Sequence, residues 1–197
     1  MEIKRFIEGL LEANCYIIRD AKADSDCYII DPGHSPKKII KYIRSENLNP
    51  LGIVLTHHHY DHSGAAEKVA KELDLEIMIH TQDADQFPAA GRLLSDGDVL
   101  ALGKDKLVVF HTPGHTRGGI CLYSKRSSVC FTGDTVFNVD LGRTDLEDGS
   151  EEEMKSSIRN VVDKWGNEVT IYPGHGDPAS MKYVRKNNTE YIEIAKN

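Results

Sequence analysis

Thr56-His57-His58-His59-Tyr60-Asp61-His62 packs four candidate metal ligands, His57, His59, Asp61 and His62, into six residues. Three apolar, partly β-branched residues precede it, Ile53-Val54-Leu55, and read as a short buried strand. Ser63-Gly64-Ala65-Ala66-Glu67 follows and reads as a helix start with Ser63 as N-cap. The heptad is therefore expected in a tight strand-to-helix loop, where side chains converge on one point. Imidazole combined with carboxylate suits zinc, iron or manganese better than a soft copper site or an all-oxygen calcium site.

One loop cannot complete a metal shell, and three later segments offer more donors. His115 lies in Thr112-Pro113-Gly114-His115-Thr116, Asp134 in Phe131-Thr132-Gly133-Asp134-Thr135, and His175 in Tyr172-Pro173-Gly174-His175-Gly176. Each donor follows an apolar run (Leu107–Phe110, Val129–Phe131, Val169–Tyr172) and is preceded by Gly, which permits close backbone approach or a positive φ. The pattern is strand, small turn, ligand. Five histidines at strand ends have no packing reason to be there.

His-x-His-x-Asp-His, followed in order by His, Asp and His, resembles the metallo-β-lactamase superfamily, and within it the short hydrolases similar to glyoxalase II. The resemblance runs from about Gly9 to Gly176. It implies an α+β fold, a four-layer αββα sandwich with the site at one edge between two packed sheets. Composition alone says only mixed α and β. No linker or composition break divides the chain, and the ligands span His57 to His175, so a single domain over residues 1–197 is expected.

Ligand number bears on the chemistry. One four-coordinate zinc takes three or four protein ligands, and seven suit two divalent ions sharing a bridge. Asp134 is the natural bridge, because a carboxylate has two oxygens and an imidazole one free lone pair. The resemblance implies that His57, His59 and His115 hold the first metal and Asp61, His62 and His175 the second. It also implies that an Asp at the place of Asp31 steadies the first metal loop from behind the ligands; a plain turn former is the other reading of Asp31. Zinc is the first expectation, with iron or manganese as alternatives. Such a pair activates a shared hydroxide for attack on a carbonyl and stabilises the oxyanion. Asp61 and Asp134 are the catalytic candidates, with Asp61 as ligand or as the group that orients the hydroxide.

Between these motifs, Ser35-Pro36 reads as a helix opening with Ser35 as N-cap, and Ile39, Ile40 and Ile43 share one face of that helix. Residues 82–92 read as a short helix and loop. Ser150-Glu151-Glu152-Glu153 reads as a capping box, and Ala179–Ala195 as one closing helix. His58 is expected behind the ligands or in solvent, Tyr60 at the cleft mouth or in packing, and His34, His80 and His111 receive no role. Arg143, in Gly142-Arg143-Thr144-Asp145 soon after Asp134, is a candidate substrate clamp through its planar fork; a surface ion pair with Asp140 or Asp145 is the other reading.

The net charge of -7 argues against nucleic acid as a partner. No apolar run approaches a membrane span, and Met1–Arg5 opens no signal peptide, so a cytoplasmic protein is expected. Cys15, Cys27, Cys121 and Cys130 read as buried free thiols. Family resemblance implies a small-molecule thioester as substrate, hydrolysed as hydroxyacylglutathione is by glyoxalase II. The chain shows no second helical domain after His175, and Gly176-Asp177-Pro178 replaces the Glu-Tyr usual there, so an acyl-thiol other than glutathione enters consideration. The competing expectation is a persulfide dioxygenase using one iron at His57, His115 and Asp134, because those enzymes share the ligand order and a Gly-Arg-Thr-Asp segment. A lactamase or lactonase-type hydrolase and a non-catalytic metal-binding module rank lower.

Overall fold

The computed structural model describes residues 1–20 and 24–196. Strands β1 Glu2–Glu8, β2 Ala13–Arg19, β3 Asp26–Ile30, β4 Asn49–Val54, β5 Ile77–His80 and β6 Arg92–Leu94 form one sheet in that spatial order. Its first three strands pair antiparallel and the rest parallel. Strands β7 Val99–Leu102, β8 Asp105–His111, β9 Ile120–Ser124, β10 Val129–Gly133, β11 Thr170–Pro173 and β12 Ala179–Ser180 form the second, antiparallel except between β10 and β11.

Alternation along the strands builds the layers. On β2 and β3, Tyr16, Ile18, Tyr28 and Ile30 face the second sheet, where they meet Leu107, Val109, Leu122 and Phe131. Their neighbours Cys15, Ile17, Cys27 and Ile29 face the other way, onto helices α1 Pro36–Ser45 and α3 Ala66–Leu73. Side chains of opposite parity on one strand must occupy opposite faces, so strands apolar at both parities require a layer on each side. The second sheet does the same through Cys121 and Cys130, which pack under α4 Glu151–Asn160, α5 Met181–Asn187 and α6 Thr189–Lys196. The result is the four-layer αββα sandwich expected. All four cysteines are buried and unpaired. No helix among the described residues is long and apolar enough to cross a membrane.

Several local expectations are revised. Ser63 does not cap the helix after the histidine loop; it ends a one-turn helix, α2 Tyr60–Ser63, and its hydroxyl donates to the His58 carbonyl at 2.9 Å. Ser35 precedes α1 but is left-handed (φ 48°) and makes no side-chain capping bond. Ser150 does accept from the Glu153 amide, yet its own N–H donates to the Gly114 carbonyl, so the reciprocal half of the capping box is replaced by a tie to the His115 loop. The tail is not one helix. Asn188 is extended and splits α5 from α6; its Nδ2 donates to the carbonyls of Phe137 (3.2 Å) and Asp140 (2.7 Å), while its Oδ1 accepts from the Tyr191 amide.

Leu55, fully buried just before the histidine loop, packs among β4, α3 and β5. Leu55→Ala is expected to lower unfolding stability by about 2–5 kcal/mol, the range for a buried leucine cavity, measured by urea denaturation.

Candidate metal centre

The C-terminal ends of β4, β8, β10 and β11 open toward one edge of the sandwich, and each delivers donors there. Two glycines make this approach sterically possible. Gly133 holds φ +47°, a conformation costly for a residue with Cβ, and a Cβ there would meet the Thr56 side chain. At Gly174 a Cβ would overlap the Asp134 carboxylate and reach 2.7 Å from the His62 ring.

Two trios of donor atoms result, His57 with His59 and His115, and Asp61 with His62 and His175, each within 4.8 Å of one another. Asp134 lies between them. Its Oδ1 is 3.4 Å from His62 Nε2, and its Oδ2 is 3.4 Å from His115 Nε2 and 3.5 Å from His175 Nε2. All seven residues expected as ligands are thereby brought together. Their support is equally ordered. His62 Nδ1 donates to Asp31 (3.2 Å), His115 Nδ1 to the Arg143 carbonyl (2.8 Å) and His175 Nδ1 to the Leu11 carbonyl (2.9 Å). A proton committed at Nδ1 leaves the Nε2 lone pair aimed into the site.

The donor set fits divalent cations. His62 Nε2 and His175 Nε2 face each other at 3.2 Å although both rings donate through Nδ1. Two bare lone pairs at that distance repel unless a proton or a cation lies between them. Buried His57 Nε2 and Asp134 Oδ1 have no hydrogen-bond partner, an arrangement that is costly unless a ligand satisfies them. The local field agrees. Burial opposes charge on His62, yet Asp134, Asp31 and Asp61 push its pKa up to about 9. Burial likewise opposes charge on His175, and Asp61 and Asp134 raise it nonetheless. In the other trio, burial and the neighbouring imidazoles hold His57 well below the usual histidine range and His59 at about 4, so these rings are neutral donors at pH 7. Asp61 resists burial through its bond to His175 and the nearby His62 and falls to about 2, an ionised acceptor.

Asp31 accepts from the Thr56 amide (2.7 Å), the Thr56 hydroxyl (2.6 Å) and His62 Nδ1, locking the histidine loop to the end of β3. Asp83 does comparable work and had no sequence signal. It sits in a 3-10 turn, Thr81–Gln86, and its buried carboxylate accepts from the Thr116 hydroxyl (2.9 Å) and the amides of Gly118 (2.5 Å) and His58 (3.1 Å). It also faces His58 Nδ1 at 3.1 Å, so His58 points away from the donors and ties the first loop to the His115 loop. His80 and His111 stack on each other, ring centroids 4.0 Å apart, away from the donor set. His34 meets Tyr60 edge-on. Arg143 lines the cleft, but its guanidinium bonds both oxygens of Asp145 at 2.7 and 2.9 Å, while its carbonyl orients His115.

A four-layer αββα sandwich with histidine and aspartate donors converging at its edge defines a metallo-hydrolase class of protein. The family model for the metallo-beta-lactamase superfamily matches residues 9–175, and the chain belongs to that superfamily. The hydroxyacylglutathione hydrolase GloC of Haemophilus influenzae is 30% identical, with 90% of this chain and 92% of that one covered. Among solved structures, the B3 metallo-beta-lactamase BLEG-1 superposes with a TM-score of 0.88 at 27% identity, covering 96% of this chain and 99% of that one. TTHA1623, solved in a di-iron-bound form, gives 0.84 at 26% identity, covering 95% and 99%.

Asp31→Ala leaves three donors without an acceptor and frees the His62 ring. Metal affinity, measured by chelator competition, is expected to fall about 10- to 100-fold, the usual cost of losing a group that orients a ligand. Gly174→Ala is expected to lower metal content with the circular dichroism spectrum preserved, because the added methyl enters the space between Asp134 and His62.

Proposed function

We propose that the protein is a thioester hydrolase working with two divalent metal ions, zinc first, on a small-molecule acyl-thiol. The observation that carries this reading is the placement of Asp134 between two complete donor trios, each with its own buried support. The similarity to a hydroxyacylglutathione hydrolase over nine-tenths of both chains supports the reaction class.

On this reading His57, His59 and His115 would hold one ion and Asp61, His62 and His175 the other, with Asp134 placed to serve both. The bound ions would supply an activated water as nucleophile and positive charge to offset the oxyanion and the departing thiolate. The chain's own residues supply the rest. Asp31, the Arg143 carbonyl and the Leu11 carbonyl fix which nitrogen of each ring faces the site. Asp61, ionised and partly exposed to the cleft, would accept a hydrogen bond from such a water and orient it. Burial of His57 and Asp134 keeps bulk water from competing with the donors.

Metal analysis of protein purified without oxygen, paired with assays on thioesters and on a thiol persulfide, tests the reading. Two ions per chain and thioester turnover are expected. One iron per chain with oxygen uptake on the persulfide would replace it by the dioxygenase. Asp134→Ala is expected to remove activity and to lower metal content at both positions; near-full activity in that variant would falsify the shared-ligand assignment.

A further inference from the structure

The donors open into a cleft of about 720 Å³ whose walls are unlike its floor. Four large apolar side chains stand exposed around its mouth: Leu11 (67%), Tyr60 (73%), Val139 (45%) and Leu146 (38%). Phe137 continues the wall down to the donors, its ring centroid 6.0 Å from that of His175. Ten large apolar side chains are this exposed among the described residues, and four of them gather at this one opening. Apolar side chains clustered around a concave polar floor mark a surface that is covered when the ligand is present.

Charge at the mouth points the same way. Among the described residues Arg143 is the sole lysine or arginine lining the cleft, and its fork is closed on Asp145, a pair that is neutral as a unit. Arg5, behind Gly176, is closed on Asp177 at 2.9 Å and on the Gly176 carbonyl at 3.0 Å. Outside the donor set, the carboxylate lining the cleft among the described residues is Asp140. A thiol carrier with carboxylates, as glutathione has, would have to draw Arg143 away from Asp145 to find a guanidinium there.

We propose that the thioester this site takes carries an apolar acyl chain on an uncharged thiol portion, the chain lying against Leu11, Phe137, Val139 and Leu146. This rests on the thioester reading and narrows it. The carbonyl is drawn to the donor floor, and the chain is drawn to the walls by removal of apolar surface from water. Full burial gains about 4-fold in binding per methylene; walls that leave the chain half-exposed gain about 2-fold.

The test uses the metal-replete protein and N-acetylcysteamine thioesters from acetyl to octanoyl, with S-lactoylglutathione alongside. kcat/KM is expected to rise about 2-fold per methylene, about 60-fold across the series, and to exceed that for S-lactoylglutathione at octanoyl. Val139→Asp and, independently, Leu146→Glu are expected to cut the octanoyl-to-acetyl ratio by about 5-fold or more, with metal content retained. Calorimetry with a non-hydrolysable octyl thioether gives a binding readout that should weaken in the same variants. A flat series, or preference for S-lactoylglutathione over the octanoyl thioester, overturns this assignment and leaves the thioester reading standing. Failure to hydrolyse any thioester at full metal content overturns both.

Discussion

Two imidazole nitrogens and a carboxylate are held face to face at the heart of this molecule, and much of the surrounding structure exists to hold them there. His62 Nε2 and His175 Nε2 face each other at 3.2 Å, an approach that calls for a proton or a cation between them, and Asp134 adds its charge from the side. Left to themselves, such groups would rotate away or move apart. They come from opposite sheets, so the restraint must cross the sandwich. It does so through backbone: the Ile120 amide donates to the Thr56 carbonyl, and the Asn14 amide to the Gly174 carbonyl at 2.7 Å. Tyr16, buried between the sheets, donates its hydroxyl to the Pro173 carbonyl at 2.7 Å, and Asn14 Nδ2 reaches the same carbonyl and that of Gly176. A site with these donors is preorganised for a cation because the fold already holds them at close range.

The same logic explains how much could be read from the sequence. Donor residues were legible because a short, ordered pattern of histidines and aspartates has no competing explanation in packing. The four layers followed from resemblance, and the strands then justified them residue by residue, with both parities of Tyr16–Ile18 and Cys27–Ile30 apolar. What stayed hidden were partners distant in the chain. Asp83 carries no motif, and its three bonds run to residues 58, 116 and 118, two of them to backbone amides that any residue type offers. Asn188 likewise lies in a stretch with helical composition, and only its bonds to the 137–140 loop reveal why the helix stops. Local signals also misled. Ser63 and Ser35 have the residue type of N-caps, but Ser63 lies inside the α2 turn and donates its hydroxyl to the His58 carbonyl, and the left-handed backbone at Ser35 leaves its hydroxyl without a capping bond.

Arg143 shows why residue type and role can separate. A guanidinium beside a cluster of metal donors suggests a substrate clamp, yet in this structure it is paired with Asp145. What the site takes from Arg143 is a main-chain oxygen for His115. The Gly142–Asp145 segment is thus tied to the donors by backbone, and its side chains are arranged around that attachment.

Leu11 repeats this division on the opposite lip. Its carbonyl steers His175 while its side chain stands in solvent at the opening. Main chain and side chain at one position therefore answer to different demands. Any residue keeping the turn's geometry preserves the histidine's aim, whatever shape it shows to an incoming molecule. A change of side chain at this turn therefore reshapes the rim of the cleft and leaves the aim of His175 as it was.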